Sequence, residues 1–277
     1  MLKKIASKVR LWAKTQVTQT KATVGPQYPN KLGVLGIMKN EGINIDEWIE
    51  HYLWMGAGKI YLIDNGSTDD TLAKARAWVE KGKVQLVEYH AKHQQIEHYR
   101  SAIGHFGIAD DCEWLLIADL DEFWFCPAGD SLADALVEFD RYDVIYSNWV
   151  IFGSAGLIQQ PKSVREGFTL RRAGLGSHYE NKYICRPRFL LKPGALRGHR
   201  VWGADSGRTI SDTHRFQLNH YIIQSEEFFR RTKLNRGDAG TPSAENLRDM
   251  DYFRRYDQGC DVPDRKLADL VAAARNR

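Results

Sequence analysis

Short apolar runs alternate with amphipathic stretches from residue 31 onward, and the runs end in polar or acidic residues. Lys31–Met38 (KLGVLGIM), Lys59–Asp64 (KIYLID), Val84–Tyr89 (VQLVEY), Trp114–Phe123 (WLLIADLDEF) and Asp143–Ile151 read as strands. Between them, Ile45, Trp48, Ile49, Tyr52 and Leu53 mark one face of a helix. A second helix is expected from about Asp69 to Glu80, and a polar third one through Gln95, His98 and Tyr99. Ser131, with Asp134 three residues on, resembles a capping box for a helix reaching Phe139. Strands and helices alternating at this spacing predict an α/β fold: a mostly parallel sheet with helices on both faces. Beyond Gly153 the regularity decays into short strands mixed with Gly and Arg. Helices are expected again at 225–236, 246–257 and 263–275. The organisation predicted is a basic leader and linker over 1–28, a main domain over 29–240 and a helical extension over 241–277.

Charge separates the first of these regions from the rest. The 277 residues carry 39 Lys and Arg against 35 Asp and Glu, a formal +4. The first acidic residue is Glu41, and eight basic residues precede it, so what remains is 31 against 35. The body is formally acidic. In the leader, Leu2, Ile5, Ala6, Val9, Trp12 and Ala13 recur at helical spacing among Lys3, Lys4, Lys8, Arg10 and Lys14. That pattern suits a short helix lying on an anionic membrane, and Lys, Arg and Gln interrupt any apolar core of a signal peptide. The four cysteines (Cys112, Cys126, Cys185, Cys260) are scattered, which indicates neither a zinc site nor a disulfide framework and suits a cytoplasmic protein, peripheral on the inner membrane face if the leader docks. No nucleic-acid recognition motif occurs, and the excess positive charge sits in the leader, so nucleic-acid binding is not expected.

In parallel sheets of this kind ligands lie beyond the carboxyl ends of the strands. Strand one ends in Lys39-Asn40-Glu41. Strand two ends in Asp64-Asn65-Gly66-Ser67-Thr68-Asp69-Asp70, and a later one in Asp119-Leu120-Asp121-Glu122. Asp119 and Asp121 deliver two carboxylates at the end of a buried strand, a pairing that repels unless a cation intervenes; oxygen ligands favour Mg²⁺ or Mn²⁺. The alternative is a solvated turn. The segment from Asp64 to Thr71 makes a tight turn and caps a helix, while Asp64 is also placed to accept hydrogen bonds from a base or ribose. Neither glycine-rich phosphate loop occurs. A bound nucleotide diphosphate would then need a metal to neutralise it.

MKNEGINIDEWIEHYLWMGAGKIYLIDNGSTDDT followed by IADLDEF resembles the nucleotide-sugar domain of family 2-like glycosyltransferases, in the D-x-D-E-F subgroup similar to the family 92 glycosyltransferases. The likeness continues in order through Asn148-Trp149, Phe152-Gly153-Ser154-Ala155-Gly156, Lys182 with Arg186-Pro187, and His220-Tyr221, Ser225, Glu227-Phe228, Lys233 and Arg236-Gly237. Gln224 departs from it, standing where the group often has Lys. The resemblance implies a GT-A fold and a metal-dependent enzyme. It would move a sugar, UDP-linked in the first instance, to a hydroxyl of a glycan or lipid-linked acceptor, with inversion. It places Glu41 and Asp64 on the nucleotide, with Asn65, Arg100, Asp119, Gly153 and Lys182 completing the donor-binding set. It gives Asp119, Asp121 and His220 to a divalent Mn²⁺ or Mg²⁺ ion.

A base must also take the acceptor's proton. Glu180, Asp205 and Asp212 lie in the interval where the resembled enzymes carry it, and Asp205 and Glu180 are the preferred candidates. Between Asn181 and Ala204 no acidic residue occurs, yet Lys182, Arg186, Arg188, Lys192, Arg197, His199 and Arg200 do. Such a cluster either holds an anionic acceptor or is an ordinary solvated face. Trp149, Phe152, Trp202 and Tyr221 are candidates to stack on sugar rings or to fill the core. Two rival functions stand beside this one. A phosphatase of the dehalogenase type needs Thr or Val two residues after the second Asp, where Phe123 stands. A catalytically silent nucleotide- or carbohydrate-binding protein of the same fold would keep the site without the chemistry.

Overall fold

The computed structural model describes residues 27–177, 179–234 and 247–276. The leader helix and the Arg236-Gly237 end of the last motif lie outside the described residues. The alternation read from the sequence is present: β1 (Asn30–Met38), α1 (Ile45–Trp54), β2 (Lys59–Asp64), α2 (Thr71–Glu80), β3 (Val84–Glu88), α3 (Gln95–His105), a short α4 (Ile108–Asp111) and β4 (Cys112–Ile117). The expected strand over Trp114–Phe123 is two strands. It breaks at Ala118–Asp121 and resumes as β5 (Glu122–Phe125), because Asp119 O accepts the backbone N–H of Glu122 at 3.0 Å and turns the chain. Then come α5 (Leu132–Ala135), β6 (Val144–Ile151), α6 (Val164–Gly167), β7 (Leu170–Arg172), β8 (Asn181–Cys185), β9 (Thr209–Ser211) and β10 (Gln217–His220). Ser131 caps α5 as its spacing predicted, accepting from Asp134 N, and a 3₁₀ turn carries that helix on to Phe139.

The main sheet runs β3-β2-β1-β4-β8-β6-β10-β5, with β9 beside β6. Among its described strands, β8 and β5 run against the rest. The carboxyl ends of β1, β2, β4, β6 and β10 therefore share one edge with the amino ends of β8 and β5. The turn after β4 carries the chain across that edge, past β8 and β6, to pair with β10, so that Glu122 lies opposite His220. Core side chains fill both faces of the sheet: Leu32, Val34, Trp48, Trp114, Leu116 and Phe123 on one, and Leu35, Tyr61, Ile63, Tyr99, Leu115 and Tyr183 on the other. This double burial is why the strands read as continuous apolar runs.

Of the three helices expected in the carboxyl-terminal region, the last two are present and the first is not. In its place stands a single turn, α7 (Glu226–Phe228), continued by a π-helical turn over Phe229–Lys233. After α8 (Met250–Asp257) comes a strand the sequence did not announce, β11 (Cys260–Pro263), which pairs antiparallel with β7, and then α9 (Lys266–Arg275). This two-stranded ladder rests on Gly153, where a Cβ would stand 2.5 Å from Cys260 Cβ and 2.7 Å from Asp257 Oδ1. The glycine is there for close packing. Among the described residues no helix is long and apolar enough to cross a membrane.

Candidate active site

One helix face supports the acidic turn from beneath. Along α1, Trp48 donates its indole N–H to Asp119 O at 2.9 Å, and Tyr52 donates its hydroxyl to Glu122 O at 2.9 Å. His51 Nε2 lies 2.8 Å from Trp124 O. Positions i, i+3 and i+4 share a helix face, so one helix holds three carbonyls of the segment it underlies. Gly36 of β1 makes room for Trp48, since a Cβ there would lie 3.0 Å from the indole. Burial, with the nearby Arg165, pushes His51 down to about 3, so the ring is neutral, and Nε2 carries the proton it donates.

The carboxylates on this platform are matched by two buried lysines. Lys182 Nζ lies 2.9 Å from Asp119 Oδ2 and 3.8 Å from Glu122 Oε2. Lys233 Nζ lies 2.8 Å from Asp121 Oδ2 and 3.7 Å from Glu41 Oε1. The other oxygen of Asp121 faces His220 Nε2 at 3.4 Å. Burial alone would raise both aspartates. Lys182 overcomes it at Asp119, and Lys233 with His220 at Asp121, so both carboxyls are held below the ordinary range. Glu122 is fully buried; its oxygens accept from Trp149 Nε1 at 2.7 Å and Asp119 N at 3.0 Å. Burial, reinforced by the two aspartates and opposed by Lys182, moves its carboxyl well above the usual range.

The structure thus brings together Glu41, Asp119, Asp121, Lys182 and His220 among the residues singled out in the sequence. Asp64 stands at the end of the neighbouring strand, with Oδ2 accepting from Gly66 N and Ser67 N. Its Oδ1, buried, has no partner among the described residues. Asn65 ties the end of β2 to the next loop, donating to Tyr89 O at 2.6 Å and Ala91 O at 3.1 Å. Arg100 is on the exposed side of α3, paired with Glu97. Gly153 sits under the β7–β11 ladder. Glu180 immediately precedes β8 at the site edge; its carbonyl accepts from Trp149 N at 2.9 Å and its carboxylate from Ser177 N at 2.8 Å. Asp205 is placed at the opposite edge, capping a 3₁₀ turn before β9, whose Thr209 pairs with Val144 at the start of β6. Asp212 is spent on the backbone of His214, Arg215 and Phe216. Gln224 is buried at φ +51, and its side-chain oxygen accepts from Gln160 Nε2 at 2.6 Å.

Sequence reasoning assigned no role to Glu122, Lys233 or Trp48. A charged residue heading the apolar run Glu122-Phe123-Trp124-Phe125 was a signal for the first. For Lys233 the signal was its place in the motif series of the resemblance, which does not include Arg230 and Arg231, exposed beside it.

Among the described residues no three His, Cys, Asp or Glu side chains gather as a metal cage. Asp119, Asp121 and His220 nonetheless offer two carboxylates and an imidazole. Mg²⁺ is commonly held by one or two carboxylates and substrate phosphates, without a full protein cage, and Mn²⁺ accepts the same oxygen donors. The residues fit a cation that arrives with a diphosphate, for which Lys233 would release Asp121.

Residues 38–254 match Glycosyltransferase family 92. A family 92 protein of Ricinus communis is 25% identical over 219 residues, 73% of this chain and 38% of its own length. The galactan beta-1,4-galactosyltransferase GALS2 of Arabidopsis thaliana is 23% identical over 201 residues, 66% of this chain and 38% of its own length. The chain spans half or less of the length of the curated relatives it matches. Among solved structures, S. aureus TarS 1–349 aligns with a TM-score of 0.46 and 13% identity, over 72% of this chain and 62% of that one.

Two measurements test this electrostatic arrangement. His51 has its folded pKa depressed, so it contributes stability that is complete above its unfolded value of 6.5 and is lost as pH falls toward about 3. The loss amounts to about 1.4 kcal/mol per pH unit inside that window. In urea unfolding at pH 7, 6 and 5, His51→Gln should flatten this slope; parallel curves would refute it. Asp121→Asn should cost about 3 kcal/mol by leaving Lys233 buried with only the more distant Glu41. The double variant with Lys233→Met should recover at least about 1 kcal/mol of that, and simple additivity would contradict the pairing.

Proposed function

The chain belongs to glycosyltransferase family 92, and we propose that it is a metal-dependent glycosyltransferase. It takes a sugar from a nucleotide-diphosphate donor, UDP-linked, and passes it with inversion to a hydroxyl of a glycan or lipid-linked saccharide. The observation that carries this reading is the gathering of Glu41, Asp119, Asp121, Lys182, Lys233 and His220 at the strand edge where α/β sheets receive nucleotides. Asp64, with a buried oxygen still to be satisfied, is suited to an N–H of the base.

The leaving diphosphate gains negative charge as the glycosidic bond breaks. A divalent ion held by Asp119, Asp121 and His220 would neutralise that charge as a Lewis acid. Lys182 and Lys233 supply two further buried cations beside it, and a cation fixed in a dry site stabilises developing charge without reorganisation. Trp48, His51 and Tyr52 hold the turn that aims the two aspartates. Glu180, at the site edge, is the better placed base for the acceptor hydroxyl; Asp205, at the far end of β6, is too remote for that role. The basic amphipathic pattern of residues 2–14 supports peripheral contact with an anionic membrane from the cytoplasmic side.

UDP release from a panel of UDP-sugars should require Mn²⁺ or Mg²⁺ and disappear in Asp121→Asn. With an acceptor present, Glu180→Gln should lower transfer at least about 100-fold, and Asp205→Asn should leave it within about threefold. A protein that binds donor and never turns it over would favour the silent-binding reading. Deleting residues 1–24 should abolish sedimentation with phosphatidylglycerol vesicles and leave UDP release intact; equal sedimentation would exclude the leader as a membrane contact.

A further inference from the structure

Between β8 and β9 the chain makes a basic excursion that returns to the active-site edge. Leu196 and Val201 form an isolated antiparallel bridge, and Arg197 N donates to Arg200 O at 3.1 Å. This closes a tight hairpin with Arg197-Gly198-His199-Arg200 at its tip. The tip is seated on the strands behind it. His199 Nδ1 lies 2.9 Å from Asn181 O, Tyr183 donates its hydroxyl to Arg197 O at 2.9 Å, and Val201 N donates to the Tyr146 hydroxyl at 2.9 Å. The His199 ring also meets Trp149 edge-on at 5.4 Å, and Trp149 is the residue whose indole bonds Glu122.

The hairpin's two tip guanidiniums each lie over an aromatic ring, one on Trp202 beside the bridge and one on Tyr179 just before β8. Arg197 lies 5.0 Å from the ring of Trp202, and Arg200 lies 5.4 Å from the ring of Tyr179. Trp202 is 62% exposed and Tyr179 66%. Large rings are ordinarily buried for their area, and here both stay at the surface with a cation alongside. Between Asn181 and Ala204 the sequence carries basic residues and no acidic one, with Glu180 and Asp205 flanking the interval.

We propose that Tyr179, Arg197, Arg200 and Trp202 form the acceptor subsite, and that the acceptor is an anionic saccharide. A sugar ring lies against the exposed aromatic faces, and a carboxylate or phosphate on it takes the planar N–H fork of a guanidinium. The seating of His199 against Asn181 and Trp149 places this surface beside the cluster where transfer occurs. The inference rests on the glycosyl-transfer reading and names its substrate class.

An array of oligosaccharides of matched length, neutral galactans beside uronate, sulfated and phosphorylated glycans, tests it with the full chain. The wild type should retain a subset of the anionic glycans and lose them at 0.5 M NaCl. Arg197→Gln/Arg200→Gln should bind that subset at least tenfold more weakly, and Trp202→Ala should lose it as well, with melting temperatures showing that both variants fold. Preference for neutral glycans, or anionic binding untouched by both variants, would overturn the proposal. So would binding to phosphatidylglycerol vesicles that the double variant abolishes while no glycan is retained. The thermal shift given by UDP with Mn²⁺ reports the donor site separately. If UDP gives no shift, the transferase reading itself has failed, whatever the array shows.

Discussion

Three hydrogen bonds from one helix to one irregular stretch of backbone fix the geometry on which the rest of the site depends. The chain leaves the sheet at Ala118–Asp121 and returns as β5 at the end of the strand order, paired on one side with β10, and buried carbonyls facing away from that pairing cost free energy unless donors come from elsewhere. Trp48, His51 and Tyr52 supply the missing donors to Asp119, Trp124 and Glu122. Each such bond contributes only about 1 kcal/mol net. Their greater effect is directional. The peptide planes cannot rotate without breaking them, so the carboxyls of Asp119 and Asp121 project across the strand ends. The cost is a histidine held neutral by burial, which ties this support to pH.

Once aimed, two ionised carboxylates beside buried Glu122 cannot stand alone. Lys182 comes from a strand that runs against its neighbours, and Lys233 from a π-helical turn far along the chain. Each brings an ammonium that is nearly inaccessible to water and pairs with an acidic group at hydrogen-bond distance. Burying such pairs adds little net stability, because desolvation consumes the Coulombic gain. Their retention makes better sense as preorganisation: positive charge is already in place where a diphosphate would arrive. Lys233 also joins Glu41 to Asp121, linking the ends of the first and fourth strands through one cation.

Much of this was legible in the chain. The apolar runs located β1 to β3 and β6 nearly to the residue, because strands buried on both faces leave no polar interruption. The polar clusters at their ends located Glu41, Asp119 and Asp121, because parallel strands deliver their carboxyl ends to one edge. What could not be read depended on contacts between distant segments. WLLIADLDEF looks like one strand, and only the i-to-i+3 turn at Asp119 splits it. β11 has too little apolar content to show itself and exists because β7 offers it a ladder. Gly153 resembled a ligand-facing glycine and proved to be a packing one, since its neighbour Cys260 lies more than a hundred residues away.

The sequence by itself determined the layered α/β architecture and which acidic residues would meet at the sheet edge, since both follow from local periodicity and strand direction. Tertiary structure alone decided which cations would answer them. In Phe229-Arg230-Arg231-Thr232-Lys233 the resemblance picks out Lys233 without saying what it meets; in the fold Arg230 and Arg231 face water while Lys233 turns inward to Asp121 and Glu41. That choice follows from where a helical turn comes to rest against strands from the other end of the chain, and no spacing within the segment records it.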